Sequence, residues 1–213
     1  MFAIADDVLT LCPDATVFAV VARGLRNAPS DDASRAVLAE AVREAGDLAA
    51  PHPQVEAWRD AYRAFGAKPQ RTPSSAEALR RRAAKGDVPE VNRLVDFYNA
   101  VSIRFAVPIG GEDLAAIRGT ERLVRAIGDE PFDTVKDGEP VVEHPEIGEV
   151  VWRDDLGVTC RRWNWRQCRR TALTEATTDA VFLVEGLGID LAPAVDALVG
   201  HLSGADVTVE RLA

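Results

Sequence analysis

The change of hydrophobic period along the chain restricts its fold more than any other feature. Between Ser30 and Tyr98 apolar residues recur every three or four positions, whereas from Arg118 onward they come in short runs separated by Gly, Pro and Asp. The first pattern belongs to helices with one buried stripe, the second to strands joined by turns. Ahead of both, Thr16-Val17-Phe18-Ala19-Val20-Val21-Ala22-Arg23-Gly24 is short, β-branched and ended by glycine, and reads as a buried strand. Helices first and strands later, with strands at both ends, predict an α+β fold in which a mixed or antiparallel sheet packs with helices.

The helices can be placed individually. Ser30 to Ala45 carries Val37, Leu38, Ala41 and Val42 on one side, with Gly46 as its stop. In Pro53 to Phe65, the residues Val55, Trp58, Tyr62 and Phe65 form a single core stripe before Gly66. A connector with two prolines, Lys68 to Pro73, leads to Ser74 and Glu77, which stand in capping-box spacing at the head of a basic helix closed by Gly86. Asp87, Pro89 and Glu90 are expected to open the next helix, with Val91, Leu94, Val95 and Tyr98 as its apolar face. Asn92, Asp96 and Asn99 make a second stripe on it, which is solvation on a surface helix or a row of polar ligands beside a cleft.

Expected strands are Leu123 to Ile127, Val141-Val142, Glu149 to Arg153, Val158 to Cys160 and Ala180 to Val184, with Asp154 to Gly157 as a hairpin connection. A helix from about Pro193 to Leu202 and a strand at Val207 to Val209 close the chain.

The 213 residues suffice to bury a core, and 47% hydrophobic with 28% charged residues is an ordinary globular balance. No apolar run approaches the roughly 20 residues that span a bilayer, so no membrane partner is expected. The start, Met1 to Asp7, lacks the basic and apolar regions of a secretory signal. Cys12, Cys160 and Cys168 have no metal-ligand spacing and read as reduced, buried thiols of a cytoplasmic protein. A net charge of −9 argues against a chain that wraps nucleic acid by neutralising phosphates. Two segments are nevertheless basic. Residues 51–86 include Arg59, Arg63, Lys68, Arg71, Arg80, Arg81, Arg82 and Lys85, and Arg161, Arg162, Arg166, Arg169 and Arg170 follow later. Brought together they could bind a local anionic group; otherwise they solvate helix faces and pair with the acidic stretch from Glu112 to Asp155.

Sequence signatures of the common hydrolases, nucleotide sites and metal sites are missing, and His52, His144 and His201 are isolated. The unusual stretch is Cys160-Arg161-Arg162-Trp163-Asn164-Trp165-Arg166-Gln167-Cys168-Arg169-Arg170-Thr171. If its first part is extended, Trp163 and Trp165 share one face and Arg162, Asn164 and Arg166 the other. That density of Trp, Arg and Asn suits a polar site with stacking walls, or a surface hairpin with arginines laid on tryptophans. Glu185 ends the apolar run Val181 to Val184, either in water at the sheet's end or aimed into a pocket.

The same residues carry a resemblance. Glu90 to Asn99, followed by Pro108, is similar to the helix of the type N-N-V-V-D-x-x-N-Y, leading to a Pro, in the B3/B4 editing domain of bacterial phenylalanyl-tRNA synthetase β subunits. Gly128 to Val151 resembles the strands that follow, and Gly157 to Glu185 resembles the turn, Thr-rich stretch and Glu-bearing strand that close the editing pocket. The resemblance covers about 88–187. It implies one B3/B4-like domain over 1–213, with an N-terminal portion to about 87 and a helix–strand portion over 188–213. That domain hydrolyses tyrosine wrongly esterified to the phenylalanine tRNA, and a Glu matching Glu185 senses the tyrosine hydroxyl.

Asn99 and Glu185, matched by the resemblance, together with Trp163, Asn164, Trp165 and Thr171 from the polar, Trp-rich stretch, are expected to hold an aminoacyl group. Arg162, Arg166, Arg80 and Arg81 would face the end of an aminoacyl-tRNA. No cofactor, no metal and no catalytic nucleophile is implied; a module that binds RNA, an amino acid or a nucleotide without chemistry is the alternative. The chain departs from the family pattern where Gly110 and Gly111 stand in place of a histidine after the Pro, and where Trp-Asn-Trp-Arg replaces a glycine-rich turn.

Overall fold

A computed structural model describes residues 2–213. The chain runs β1 (Phe2–Ile4), α1 (Asp6–Leu11), β2 (Ala15–Arg23), α2 (Asp32–Glu44), α3 (Pro53–Ala64), α4 (Ser75–Ala83) and α5 (Arg93–Phe105). It continues through β3 (Ile109–Asp113), β4 (Glu121–Arg125), β5 (Phe132–Lys136), β6 (Glu139–Glu143), β7 (Val150–Arg153), β8 (Val158–Arg161) and β9 (Arg166–Gln167). It ends with β10 (Asp179–Leu187), α6 (Ala192–His201) and β11 (Asp206–Arg211). The fold is α+β, as the order of periodicities predicts.

Two sheets dominate. One has the order β1-β4-β7-β8-β9, antiparallel except where β1 joins β4; the other, β11-β2-β10-β3, is antiparallel throughout. β5 and β6 form a separate hairpin. The central strand β10 explains its own unbroken apolar sequence, because both of its faces are covered. Val181 and Leu183 meet Val17 and Ala19 of β2, Trp58 and Tyr62 of α3, and Leu123, Val150 and Trp152 of the five-stranded sheet. Phe182 and Val184 point the other way, onto Leu94, Tyr98 and Val101 of α5 and Val195 and Leu198 of α6. A smaller cluster joins α2, α4 and α5 through Leu38, Leu79, Ala83 and Ile103.

Local chemistry accounts for most element ends, with one shift. The helix expected to open at Asp87 opens instead at Arg93, because Asn92 caps it by accepting the Val95 N–H at 3.1 Å. Asp96, on the polar stripe of that helix, is fully buried and accepts from Ser34 Oγ of α2 at 2.6 Å, so it ties two helices together rather than facing solvent. Ser74 caps α4 as its spacing predicts, accepting the Glu77 N–H, but the Glu77 carboxylate turns away to Arg59 and Arg81.

The sequence shows no periodic signal for β1, α1, β3 or β5. In β3 the reason is the Gly110-Gly111 pair, which reads as loop. An added Cβ at Gly111 would stand 2.7 Å from Leu173 Cδ1 and 3.0 Å from Tyr98 Cε1, whereas one at Gly110 meets only the Gln167 side chain, at 3.4 Å. Gly111→Ala is therefore expected to lower stability by about 1–3 kcal/mol, and Gly110→Ala to stay within about 0.5 kcal/mol of the parent. Urea denaturation checks the pair, and equal losses would contradict this packing.

Candidate functional site

Alternation along β10 places Glu185 on the same face as Val181 and Leu183, toward the space between the sheets. Its side chain is 2% exposed and meets three donors. Oε1 accepts from Trp152 Nε1 at 2.8 Å and from Trp163 Nε1 at 3.1 Å, and Oε2 accepts from Asn164 Nδ2 at 2.8 Å. Asn164 Oδ1 in turn accepts from the Tyr62 hydroxyl at 2.9 Å, which carries the chain of bonds back to α3. Of the two environments open to Glu185 from sequence, the structure realises the inward one.

The stretch after β8 is not extended. Arg162 and Trp163 have φ of 48° and 66°, so the chain turns tightly between Arg161 and Arg166, which pair across it. Left-handed backbone at two bulky residues costs on the order of 1–2 kcal/mol each. Several contacts hold it there: Trp163 packs edge-on against Trp58 at 5.1 Å, and Trp163 N–H and Ser75 N–H bond to the carbonyls of Val150 and Asn164. The turn breaks the alternation expected for a strand. Trp163 and Asn164 both point inward to Glu185, while Arg162 lies over the Trp165 ring, 4.5 Å from its centroid.

Around this network lies a cavity of about 140 Å³. Its walls include Tyr98 and Asn99 of α5, Gly110 and Glu112 of β3, Trp152, Cys160, the turn from Trp163 to Gln167, and Glu185. An apolar cavity of roughly 150 Å³ holds one benzene ring, so the space is that of a single ring or a short side chain. Gly110 opens onto it.

The remaining site residues divide. Asn99, Trp163, Asn164, Trp165, Arg166 and Glu185 line the cavity together. Thr171 is buried behind it, beside Glu112, with its hydroxyl 3.3 Å from Cys168 Sγ. Arg162 lines a second cleft on the other side of the turn, with Lys68 and Arg71, so one residue of the later basic segment does meet the earlier one. Glu146 and Glu149 stand in the same cleft. Arg80 is turned inward, 5% exposed and donating to the Ile103 carbonyl, and Arg81 pairs with Glu77, so neither adds to that cleft. Arg161 and Arg170 are also bound internally, in two-point pairs with the buried carboxylates of Glu149 and Asp154. Among the described residues no group of three or more His, Cys, Asp or Glu is placed to hold a metal ion, and no helix is long and apolar enough to cross a membrane.

Sequence reasoning missed Trp152, Glu112 and Glu121. Glu112, in the cavity wall, and Glu121, at the head of β4, come from different sheets and adjoin. Burial, against the neighbouring Thr171, Glu121 and Gln167, pushes the Glu112 carboxyl up to about 7, and burial with the Glu112 charge pushes Glu121 well up. Burial likewise raises Glu185 to about 7, even with its three donors. It also pushes the Cys160 thiol well above its ordinary value.

The family model of the B3/4 domain matches residues 57–188, more than half of the 213 residues and all of the cavity wall. The chain belongs to the B3/4 domain family. Its fold is similar to a crystal structure of an N-terminal fragment of the phenylalanyl-tRNA synthetase β-subunit from Pyrococcus horikoshii, with a TM-score of 0.51 and 10% identity. All of this chain takes part in that likeness, but it spans only 54% of the fragment. At that identity the likeness is one of fold. None of the curated proteins matches it in sequence. In this B3/4 domain the cavity sits where the two sheets, the start of α4 and α5 converge.

A pH dependence follows from Glu185. Its folded-state value, about 7, lies above the ordinary 4.5, so the folded form holds the proton more tightly. The resulting stabilisation is complete below about 4.5 and is lost as pH rises to about 7; it is on the order of 3 kcal/mol. His52 and His201, lowered by burial, act in the opposite sense. They are common to the Glu185→Gln variant, in which Oε1 still accepts both indoles and a turned-over Asn164 amide accepts from the new N–H. Thermal melts from pH 5 to 8 should show the parent losing stability relative to Glu185→Gln as pH rises. A constant difference between the two would contradict the burial described.

Proposed function

We propose that this B3/4 domain is a trans-acting hydrolase of misacylated aminoacyl-tRNA, acting in the cytoplasm on the ester of a tyrosine- or phenylalanine-like amino acid. The observation that carries the reading is a one-ring cavity with a fixed, buried carboxylate in its wall. Ester hydrolysis needs a positioned water and stabilisation of the oxyanion rather than a protein nucleophile. Glu185 supplies the selectivity: its three donors leave one of a carboxylate's about four acceptor positions for a ligand hydroxyl, which a ring without one cannot use. Asn99, Asn164, Trp163 and Trp165 bound the acyl group, with Thr171 fixing the wall from behind. Arg166 at the cavity and Arg162 with Lys68 and Arg71 in the neighbouring cleft present cations for the tRNA end. Arg81, paired with Glu77, faces a different cleft, and the inward Arg80 acts on the fold, so neither takes part in that contact.

A second reading, capture of an amino acid, nucleotide or RNA end without turnover, is favoured by how fully the wall binds itself. Glu185 already accepts three hydrogen bonds, and the Cys160 thiol is held protonated by burial.

Deacylation of a small panel of aminoacyl-tRNAs, including tyrosyl- and phenylalanyl-tRNA for phenylalanine, separates the two. The hydrolase reading predicts selective release of the tyrosyl ester, reduced by about tenfold or more in Glu185→Gln or Asn164→Ala, the scale of one buried hydrogen bond to a charged group. Release from no member of the panel, with saturable binding retained, would replace it by the binding module. Activity untouched in both variants would show that the site is elsewhere.

A further inference from the structure

Two arginines are buried among the described residues, Arg80 and Arg161, each 5% exposed. Their surroundings differ. Arg161 meets the carboxylates of Glu149 and Glu143. Arg80, among the described residues, has no carboxylate within ion-pair distance, and its side-chain hydrogen bonding is a single donation from Nη1 to the Ile103 carbonyl at 3.2 Å. That carbonyl belongs to the last turn of α5, where a helix end carries a partial negative charge. It offsets a fraction of a charge that a guanidinium does not shed by losing its proton. Asp47 acts on Arg80 from beyond ion-pair distance; it is exposed and turns to the N–H of Ala49.

Arg80 lines a cleft of about 510 Å³ between α3, α4 and the loop ahead of α3, a size suited to a small molecule. None of its lining residues belongs to the one-ring cavity. The cations Arg59, Arg80, Arg81 and Lys85 stand in it with the carboxylates of Glu56 and Glu77. Glu77 holds both Arg59 and Arg81, and Glu56 holds Arg59 a second time. Both carboxylates are thereby used, and among the described residues Arg80 and the exposed Lys85 are left without one. His52 stands beside Arg80, and burial together with the Arg80 charge lowers its proton affinity and keeps it neutral. Its Nδ1 accepts the Gln54 N–H at 3.3 Å, which puts the ring proton on Nε2 and makes that nitrogen a donor. Leu48, Pro51, Val55 and Ala84 complete the cleft with apolar surface. A buried arginine without a counter-charge, in a wall that also holds a free lysine and an imidazole donor, is costly unless an anion occupies the space.

We propose that this cleft binds a phosphate monoester: Arg80 pairs with the phosphate, Lys85 supplies the second positive charge, His52 donates a hydrogen bond, and the body of the ligand lies on the apolar side. A phosphate monoester carries about −1.5 to −2 charges at pH 7, which matches two unpaired cations. A monocarboxylate or an internal phosphodiester matches only one. The planar fork of Arg80 suits phosphate oxygens in a two-point contact, and its weak hydration suits a buried position. The same chemistry is presented by a free nucleotide or sugar phosphate and by the 5′-phosphorylated end of an RNA.

Binding is read on the full chain at low ionic strength, where exposed charges are least screened. The signal is that of the His52 imidazole in a ¹H–¹³C correlation spectrum at constant pH, assigned by its loss in His52→Gln. The probes are adenosine 5′-monophosphate, inorganic phosphate, adenosine, and a short RNA with and without a 5′-phosphate. The monophosphate should move the His52 signal saturably and adenosine should leave it in place, with inorganic phosphate weaker than the monophosphate. Arg80→Gln should weaken the monophosphate by about tenfold or more, the scale of one hydrogen bond between charged groups. Lys85→Gln, at an exposed position, should weaken it by about two- to fivefold without touching the fold, and it decides the matter if Arg80→Gln does not fold.

The two sources of the phosphate separate in the same titrations. A site for free phosphates takes the monophosphate in preference to the phosphorylated RNA, and a site for an RNA end takes the phosphorylated RNA most tightly and loses it with the phosphate. Three results would overturn the proposal: no saturable shift with any phosphate-bearing probe, adenosine binding as tightly as its monophosphate, or affinity for the monophosphate unchanged in Arg80→Gln (in Lys85→Gln, where Arg80→Gln is unfolded).

Discussion

A carboxylate enclosed between two sheets must recover its lost hydration from the protein, and Glu185 does so through three donors drawn from two other parts of the chain. Trp152 comes from the five-stranded sheet, Trp163 and Asn164 from the turn between β8 and β9, and Glu185 itself from the four-stranded sheet. Each bond therefore crosses the gap between the sheets and fixes their separation at that end. Tyr62 extends the network to α3 through Asn164, and Trp58 of the same helix supports the Trp163 ring. A buried carboxylate with donors on both oxygens orients its neighbours in a way that apolar contact does not, since each of those donors has one position in which its bond is made.

The cavity follows from that restraint. Glu185 holds the two indoles and the Asn164 amide on one side, and the Gly110 position leaves the other side free of a side chain. Gly111, one residue on, has no such latitude, because it lets Tyr98, Leu173 and Phe182 close against the strand. One glycine of the pair thus makes room for a ligand and the next makes room for the core. Glu112 then returns to the cavity face, where it meets Glu121 of the other sheet.

Much of this was legible in the sequence, for reasons that differ by residue. The run Val181 to Val184 announced itself as an unbroken apolar segment between turn residues, and the stripe Val55, Trp58, Tyr62 and Phe65 because burial on one helix face has a period. Glu185 could be placed at the end of its strand but not on a side of it, since the side that becomes a cavity is decided by the second sheet. The density of Trp and Asn from 163 to 165 marked the site, yet its geometry was hidden. Neither Arg162 nor Trp163 is a residue that advertises left-handed backbone, and the turn exists because tertiary contacts hold it. Glu112 and Glu121 gave no signal at all. Gly110-Gly111 disguised the strand that carries the first, and the two are distant in sequence and adjacent only through the packing of the sheets. The basic segments misled in part, because Arg161 and Arg170 spend their charge inside the fold and Arg80 is turned inward.

The dependence of the cavity on Glu185 is tested most directly by the indole region of a ¹H–¹⁵N correlation spectrum followed through a pH titration. The account predicts that the Trp152 and Trp163 indole cross-peaks move together with one midpoint, at about 7. Both should lose that titration in Glu185→Gln, while the Trp58 indole stays fixed. Trp152 and Trp163 peaks that ignore pH, or that titrate unchanged in the variant, would contradict it.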